Sequence, residues 1–241
     1  MNPRLDELLV ERGLADNTGA AAGMIGAGEV LVDDQRVDKA GSRFPPQVNI
    51  VVRERIPFVS RGGFKVQGAL DSFQFDPTGL VCADIGASSG GFTDCLLQRG
   101  AQKVYAVDVA YGQFDWKLRQ DPRVVLIERF NARRISSSQI PEPLDLAVID
   151  VSFISLIRII PPLLPLFGEQ TSIIALIKPQ FELARHQVPT GGVVQDPALH
   201  QAAIDKIKTF AHELGLECKG LDTSPILGPK GNREFLILLQ P

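Results

Sequence analysis

An α/β fold is predicted for most of this 241-residue chain: a mainly parallel, seven-stranded sheet with an antiparallel last strand, preceded by a small α+β unit. Three observations predict it. Seven short apolar runs recur from residue 81 onward, most of them separated by helical segments, as in sheets covered on both faces. A glycine-rich loop, Asp84-Ile85-Gly86-Ala87-Ser88-Ser89-Gly90-Gly91-Phe92, follows the first run and opens a helix-like segment. Pro225 and Pro229 lie between the last two runs, which favours a hairpin over a helical crossover.

Residues 1–59 read as the small unit. Leu5, Leu8 and Leu9 stand at helical spacing and Gly13 stops that helix. A second helix, rich in Ala and Gly, spans about 18–27. Val30-Leu31-Val32, a polar turn at Asp33-Asp34, Val37 and a strand over 48–52 complete the unit. Residues 53–62 read as a linker, and the larger domain spans 60–241. Its elements are a helix over 65–73, a turn at Asp76-Pro77-Thr78-Gly79, and strands at 81–84, 104–108, 124–127, 146–150, 173–178, 216–223 and 234–239. The clearest helix covers 196–214: Asp196 caps it, Pro197 takes its first position and Gly215 ends it. Leu199, Ala203, Ile207, Phe210 and Leu214 share its apolar face.

Composition excludes several classes. A hydrophobic content of 44% with 22% charged residues is ordinary for a globular protein, and a net charge of −3 offers no global basic field to nucleic acid. Cys82, Cys95 and Cys218 form no C-x-x-C and no disulfide framework, which fits a reducing cytoplasm. His186, His200 and His212 lack metal-ligand spacing, so no metal is expected. The N-terminus has no apolar signal core. The most apolar long stretch, 154–167, is broken by Arg158, Pro161, Pro162 and Pro165 and is too short to span a bilayer, so no membrane partner is expected.

The loop points to a nucleoside cofactor, because glycines let the backbone approach a ligand and an acid closing the next strand, Asp108, can hold ribose hydroxyls. The spacing G-x-x-x-G-G does not fit the dinucleotide pattern G-x-G-x-x-G. An acid, Asp84, two residues before the first glycine suits a cofactor with an amino-acid tail, such as S-adenosylmethionine. Gly86, Gly90 and Gly91 could serve a tight turn alone, a reading that the flanking acids disfavour. Ligands in such sheets bind beyond the carboxyl ends of the strands, where Asp84, Asp108, Asp150 and Lys178 stand. Lys178 after four apolar residues reads either as a functional cation or as a strand-end lysine paired with Asp150. Taken alone, Lys65 reads equally as a solvated helix residue or a functional cation and Glu234 as an exposed strand-start acid or a functional one, while Cys82 and Cys95 read as small core residues and Trp116 as a packing residue.

Eight segments together are more specific. They are Ser60-Arg61-Gly62-Gly63-Phe64-Lys65, the 84–92 loop, Asp108 with Tyr111-Gly112-Gln113, Trp116-Lys117-Leu118-Arg119, Ile149-Asp150-Val151-Ser152-Phe153-Ile154, Lys178-Pro179-Gln180-Phe181-Glu182, Gly191-Gly192-Val193-Val194 and Gly228-Pro229-Lys230-Gly231-Asn232-Arg233-Glu234. With them the chain resembles the hemolysin A (TlyA) family of ribosomal RNA 2′-O-methyltransferases, which join a small RNA-binding module to a Rossmann-like methyltransferase domain similar to FtsJ. The resemblance implies S-adenosylmethionine as cofactor and ribosomal RNA or ribosomal subunits as partner. It implies a Lys-Asp-Lys-Glu catalytic tetrad at Lys65, Asp150, Lys178 and Glu234. It carries cofactor contact onto Asp84, Gly86, Ser88, Gly90, Gly91, Phe92, Asp108 and Asn131. Lys178 is then the candidate base for the ribose hydroxyl, and Asp150 its orienting partner.

The small unit is similar to the α-L RNA-binding fold through Arg4-Leu5-Asp6, Glu11-Arg12-Gly13-Leu14, Ala27-Gly28 and Val30-Leu31-Val32-Asp33. It departs in its second helix, where Thr18-Gly19-Ala20-Ala21-Ala22-Gly23-Met24 carries no basic residue. Residues 1–60 hold seven Lys/Arg against nine Asp/Glu, so either weak RNA binding or contact by shape and ribose is expected there. Arg4 and Arg12 are its candidate RNA contacts. Elsewhere basic character gathers at Arg53, Arg55, Arg61 and Lys65, and at Arg129, Arg133 and Arg134, a path expected to lead RNA toward the cofactor. The competing readings are a non-catalytic RNA-binding or ribosome-associated protein, a dinucleotide-dependent hydride-transfer enzyme, which the loop spacing disfavours, and the membrane-lytic activity in the family's older name.

Overall fold

The computed structural model describes residues 2–52 and 56–241. The chain divides into two compact units, Met1–Pro57 and Phe58–Pro241. The division falls two residues ahead of position 60, because Phe58 and Val59 are bound into the second unit. The Phe58 ring meets Phe64 edge-on at 5.6 Å, and the Val59 N–H donates to Asp94 Oδ2 at 2.8 Å.

In the first unit, helices α1 (Leu5–Glu11) and α2 (Thr18–Gly26) accompany a small antiparallel sheet of β1 (Val30–Val32), β2 (Gln35–Arg36) and β3 (Ile50–Val52), in the order β2-β1-β3. Asn17 caps α2 by accepting from the Ala20 N–H at 2.9 Å. The polar turn between β1 and β2 holds Asp33 and Asp34 at φ 46° and 63°, the left-handed pair a tight hairpin requires. Leu5, Leu8, Leu9, Ala21, Ile25, Val30, Val32 and Val48 form the core of the unit.

The second unit runs α3 (Gly62–Ser72), β4 (Val81–Ile85), α4 (Gly91–Gln98), β5 (Lys103–Val107), α5 (Trp116–Arg119), β6 (Val124–Ile127), β7 (Leu144–Ile149), α6 (Ile160–Leu163), β8 (Phe167–Ile177), α7 (Pro179–Glu182), α8 (Pro197–Glu213), β9 (Glu217–Thr223) and β10 (Phe235–Gln240). Its seven-stranded sheet has the order β6-β5-β4-β7-β8-β10-β9. The pairs β4·β5, β5·β6, β4·β7 and β7·β8 are parallel, and β10 is antiparallel to both β8 and β9. The expected hairpin therefore exists, and the last strand runs against the rest.

Side chains alternate between the two faces, so the central strands are apolar on both. Cys82, Leu146 and Leu236 join one core with Val66, Leu70, Cys95 and Leu96, from α3 and α4. Ala83, Ala147 and Ile237 join the other with Ala203, Ile204 and Ile207, from α8. Helix α8 starts as its sequence dictates: Asp196 Oδ1 accepts from the Ala198 N–H at 2.8 Å, and Pro197 opens the first turn. Cys82 and Cys95 are free, fully buried thiols, pushed up to about 12 by desolvation.

Three expectations are corrected. Asp84 does not close its strand; β4 runs on to Ile85 and the carboxyl is fully buried within it. Strand β8 begins at Phe167, six residues before the apolar run over 173–178, because its polar first half still pairs with β7 at Leu144. Trp116 does not pack. It opens α5 at 68% exposure while Leu118, two residues on, takes the core position.

Ile237 is fully buried in β10. Ile237→Ala should lower stability by about 2–5 kcal/mol in urea unfolding; an unchanged midpoint would contradict the packing described.

Candidate active site

Strands β4, β5, β7 and β8 end at one rim, and the residues just past three of those ends are Asp108, Asp150 and Lys178. An antiparallel neighbour begins where parallel strands finish. The ladder pairs Phe235 with Ile177 and Leu236 with Leu176, so one step further the register sets Glu234 opposite Lys178. Lys65 reaches the same rim from the first turn of α3.

The four side chains form a continuous chain of charge. Lys65 Nζ donates to Glu234 Oε2 at 2.7 Å and to Asp150 Oδ2 at 3.3 Å. Lys178 Nζ lies 2.5 Å from Asp150 Oδ1, a close ion pair outside hydrogen-bond directions, and donates to Ser152 Oγ at 3.2 Å. Lys65, Lys178 and Glu234 are buried. Lys65 is therefore no solvated helix residue, Glu234 no exposed acid, and Lys65 no stepping stone on a basic path. Burial works to lower the Lys65 pKa, but the carboxylates of Asp150 and Glu234 outweigh it and the group is raised above its ordinary value.

Three cavities border this chain: one of about 270 Å³ has Lys178 and Glu234 in its wall with Ser152, Phe153 and Phe181, and the other two share Asp150. Of these two, one of about 420 Å³ is lined by Ser60–Gly62, Lys65, Gly86–Ser89, Gly91 and Phe92, with Asp150 and residues 226–228 and Lys230. The other, of about 620 Å³, has Asp108, Val109, Gln113, Phe130, Asn131, Arg133 and 150–154 in its wall. Gly86, Ser88 and Asp150 line both. Gly86 sits at φ 89°, and a Cβ there would stand 2.4 Å from the Asp150 carbonyl oxygen, so this glycine does more than turn the chain. Gly91 is equally confined: a Cβ would meet Ser60 Oγ at 2.3 Å and the Gly63 nitrogen at 2.9 Å.

The other cofactor candidates divide. Asp108 shapes the loop, with Oδ2 accepting from the Ser88 N–H and Oδ1 from the Ala110 N–H, both at 2.7 Å. Asn131 Oδ1 accepts from the backbone and the Nε of Arg133 at 3.1 and 3.2 Å. Asp84 and Gly90 line none of these cavities. Gly90, at φ 94°, turns the chain into α4, and Asp84 lies beneath the loop. Asp84 Oδ2 accepts from Thr93 N and Oγ1 at 3.0 and 2.7 Å, while Oδ1 is buried without a hydrogen-bond partner. Burial pushes its pKa up to about 7.

The candidate RNA contacts are also separated. In the first unit Arg4 is committed to Asp6, at 2.9 and 2.6 Å, and Arg12 donates to the Pro46 carbonyl. Arg53 and Arg55 lie outside the described residues. In the second unit Arg61, Arg133 and Arg134 are exposed, and the Arg129 guanidinium stacks 4.0 Å from the centre of the Tyr111 ring. Ser152, Phe153 and Glu182 were not singled out from sequence. They sit inside the 149–154 and 178–182 segments, whose spacing marked Asp150 and Lys178 but not their neighbours. Among the described residues no group of His, Cys, Asp and Glu could hold a metal ion.

With this geometry in hand, comparison with known proteins is direct. The profile of the FtsJ-like methyltransferases matches residues 58–240, and that of the S4 domain matches residues 3–50. The chain belongs to the FtsJ-like methyltransferase family, with an S4 domain at its N-terminus. TlyA, a 16S/23S rRNA (cytidine-2′-O)-methyltransferase of Mycobacterium tuberculosis, is 43% identical over 98% of this chain and 89% of its own. YqxC of Bacillus subtilis, described as a candidate rRNA methyltransferase, is 45% identical over 98% of this chain and 85% of its own. A solved Streptococcus thermophilus structure, described as a candidate hemolysin, is 40% identical with a TM-score of 0.76, covering 99% of this chain and 88% of that one.

Lys65→Met strands a buried carboxylate and should cost about 3–5 kcal/mol in urea unfolding at pH 7. Adding Glu234→Gln should recover most of it; a single variant as stable as the parent would contradict the burial. Asp84 binds its proton more tightly folded, near 7, than at its ordinary 3.8. Its contribution to stability is thus complete below the ordinary value and is lost as pH rises through about 7. Between pH 5 and pH 8 (about two units below and about one unit above neutrality) urea midpoints should fall more for the parent than for Asp84→Asn; parallel changes would refute the buried acid.

Proposed function

We propose that this chain is an S-adenosylmethionine-dependent methyltransferase that modifies ribose 2′-hydroxyls of ribosomal RNA, with Lys65, Asp150, Lys178 and Glu234 as its catalytic residues. The observation that carries the reading is the buried chain of two ammoniums and two carboxylates beside two cavities that share Gly86, Ser88 and Asp150. Well-packed apolar side chains would stabilise the fold at least as well as such charges, so their presence speaks for chemistry. The curated relative that methylates cytidine 2′-oxygens of rRNA supports the substrate class.

The residues fit the cofactor. The larger cavity combines Asp108 and Asn131 with Val109, Phe130 and Ile154, a mixed apolar and hydrogen-bonding wall suited to adenosine. The cavity bordered by Gly86–Ser89, Gly91 and Phe92 suits the amino-acid end. Asp84 and Gly90 support the loop from beneath. When bound, S-adenosylmethionine supplies an electrophilic sulfonium methyl group.

The side chains divide the remaining work. A ribose hydroxyl is a poor nucleophile until its proton is taken, and Lys178, after shedding its own proton, is the base within reach of the rim. Asp150 orients Lys178 from one carboxylate oxygen and Lys65 from the other. Glu234 fixes Lys65 from below, so a sugar entering between them meets groups already held in place, and alignment supplies much of the rate. Arg61, Arg133 and Arg134, with Arg53 and Arg55 by sequence, are the candidates for phosphate. Arg12 is the freer of the two arginines proposed in the S4 unit. A ribosomal RNA substrate implies a cytoplasmic enzyme.

Purified protein incubated with labelled cofactor and ribosomal subunits should transfer label to RNA, and mapping identifies the nucleotide. Lys178→Ala should lower transfer at least about 100-fold while the fold persists. Full transfer by a folded Lys178→Ala protein would remove the assigned base, and no labelling of either subunit would remove the substrate.

A further inference from the structure

Glu182 is a buried carboxylate with no part in the tetrad. It ends α7, the single turn that follows Lys178, and the N–H groups of Phe181 and Glu182 donate to the Lys178 carbonyl at 2.8 and 3.2 Å. Its own side chain reaches across to the loop that follows β7. Glu182 Oε1 accepts from the Leu156 N–H at 2.8 Å, and Oε2 accepts from Ser155 Oγ at 2.5 Å. Lys206 of α8 contacts both the Glu182 carbonyl and, at 3.5 Å, Oε2. The carboxylate thus has a backbone donor, a hydroxyl and an ammonium as partners, which is what a buried polar group needs.

The loop it grips carries the chemistry. Asp150 and Ser152 both contact Lys178. Phe153 follows at φ 64° and 90% exposure, a conformation that an aromatic residue holds only when its surroundings impose it. Its ring lies 5.1 Å from that of Phe181. Beyond it, Leu156 is fully buried and Ser155 caps a short turn over Leu156–Arg158. Residues 150–156 are therefore held along their length from one short segment: by Lys178 at 150 and 152, by Phe181 at 153, and by Glu182 at 155 and 156.

We propose that Glu182 is a positioning residue for methyl transfer: it latches the loop after β7 so that Asp150 and Ser152 stay in register with Lys178. The proposal rests on Lys178 being the base. Glu182 itself touches no reacting atom, and it acts because a loop tethered at one end only would leave the Lys178 ammonium or amine free to swing away from the hydroxyl. Its effect therefore belongs to turnover and, because residues 150–154 also line the larger cavity, to the cofactor, and not to capture of RNA.

The test uses the full chain with S-adenosylmethionine and ribosomal subunits. Glu182→Ala should lower kcat at least about tenfold with the KM for RNA held within about twofold, while the KM for S-adenosylmethionine, whose proposed cavity shares residues 150–154, rises. Glu182→Gln, which keeps an acceptor for the Leu156 N–H, should recover part of the loss. Hydrogen exchange of residues 150–158, read by mass spectrometry, should accelerate in Glu182→Ala, and this readout needs no methyl transfer. Unchanged exchange, or faster exchange with unchanged kcat, would overturn the latch; so would a rise in KM alone. If Glu182→Ala fails to fold, Ser155→Ala, which removes one of the loop's two contacts to the Glu182 carboxylate together with the cap on the Ile157 N–H, should show the same pattern in smaller degree, and normal exchange and kcat there would overturn it. A parent protein that methylates neither subunit, or a fully active Lys178→Ala, defeats the functional reading instead, and the exchange result still decides whether Glu182 holds the loop.

Discussion

The contact on which the site depends is the buried bridge between Lys65 and Glu234, side chains 169 residues apart that meet at 2.7 Å. Each charge is buried against the other, and their pairing ties the start of α3 to the start of β10. It also explains the direction of the last strand. A parallel β10 would deliver its final residue to the rim. Running antiparallel between β8 and β9, it delivers its beginning, and the ladder then sets Glu234 across from Lys178. Strand polarity, register and the placing of a carboxylate are one arrangement.

A second dependence runs through the loop after β4. Gly86 lets that loop settle against the backbone at Asp150, and Gly91 lets α4 approach the turn at Ser60. Beneath it Asp84 holds Thr93, so the loop is fixed from below by a buried acid and bounded beyond by Asp108. The two cavities share residues of this loop with Asp150 because the same close approach forms a wall of each.

Much of this was legible in the sequence, for identifiable reasons. Alternating apolar runs and helices gave the parallel sheet, the prolines at 225 and 229 gave the hairpin, and Asp196, Pro197 and Gly215 bounded α8, because all of these are local signals. Signals that depend on tertiary partners were not local. The polar first half of β8 has no strand-like composition and is held by its pairing with β7. Trp116 read as a packing residue by its size, yet Leu118 fills the core position. In the site, motif matching picked out the four charged residues that the fold unites. It passed over Glu182 and Ser152, whose contacts appear only once two loops lie side by side. It also placed Lys65 on a solvent-facing basic path, since a sequence displays a charge without displaying the acids that cover it.

The four side chains at the rim carry opposite signs in equal number. As an electrical object the cluster is close to a quadrupole whose field decays within a few ångströms, so it neither summons a polyanion from a distance nor repels one on arrival. Attraction and chemistry are thereby assigned to different atoms: peripheral arginines answer to ionic strength, which screens exposed charges over about 10 Å, while the interior cluster is shielded from it. A protein of this design can change the charge of its surface without disturbing the ion cluster underneath.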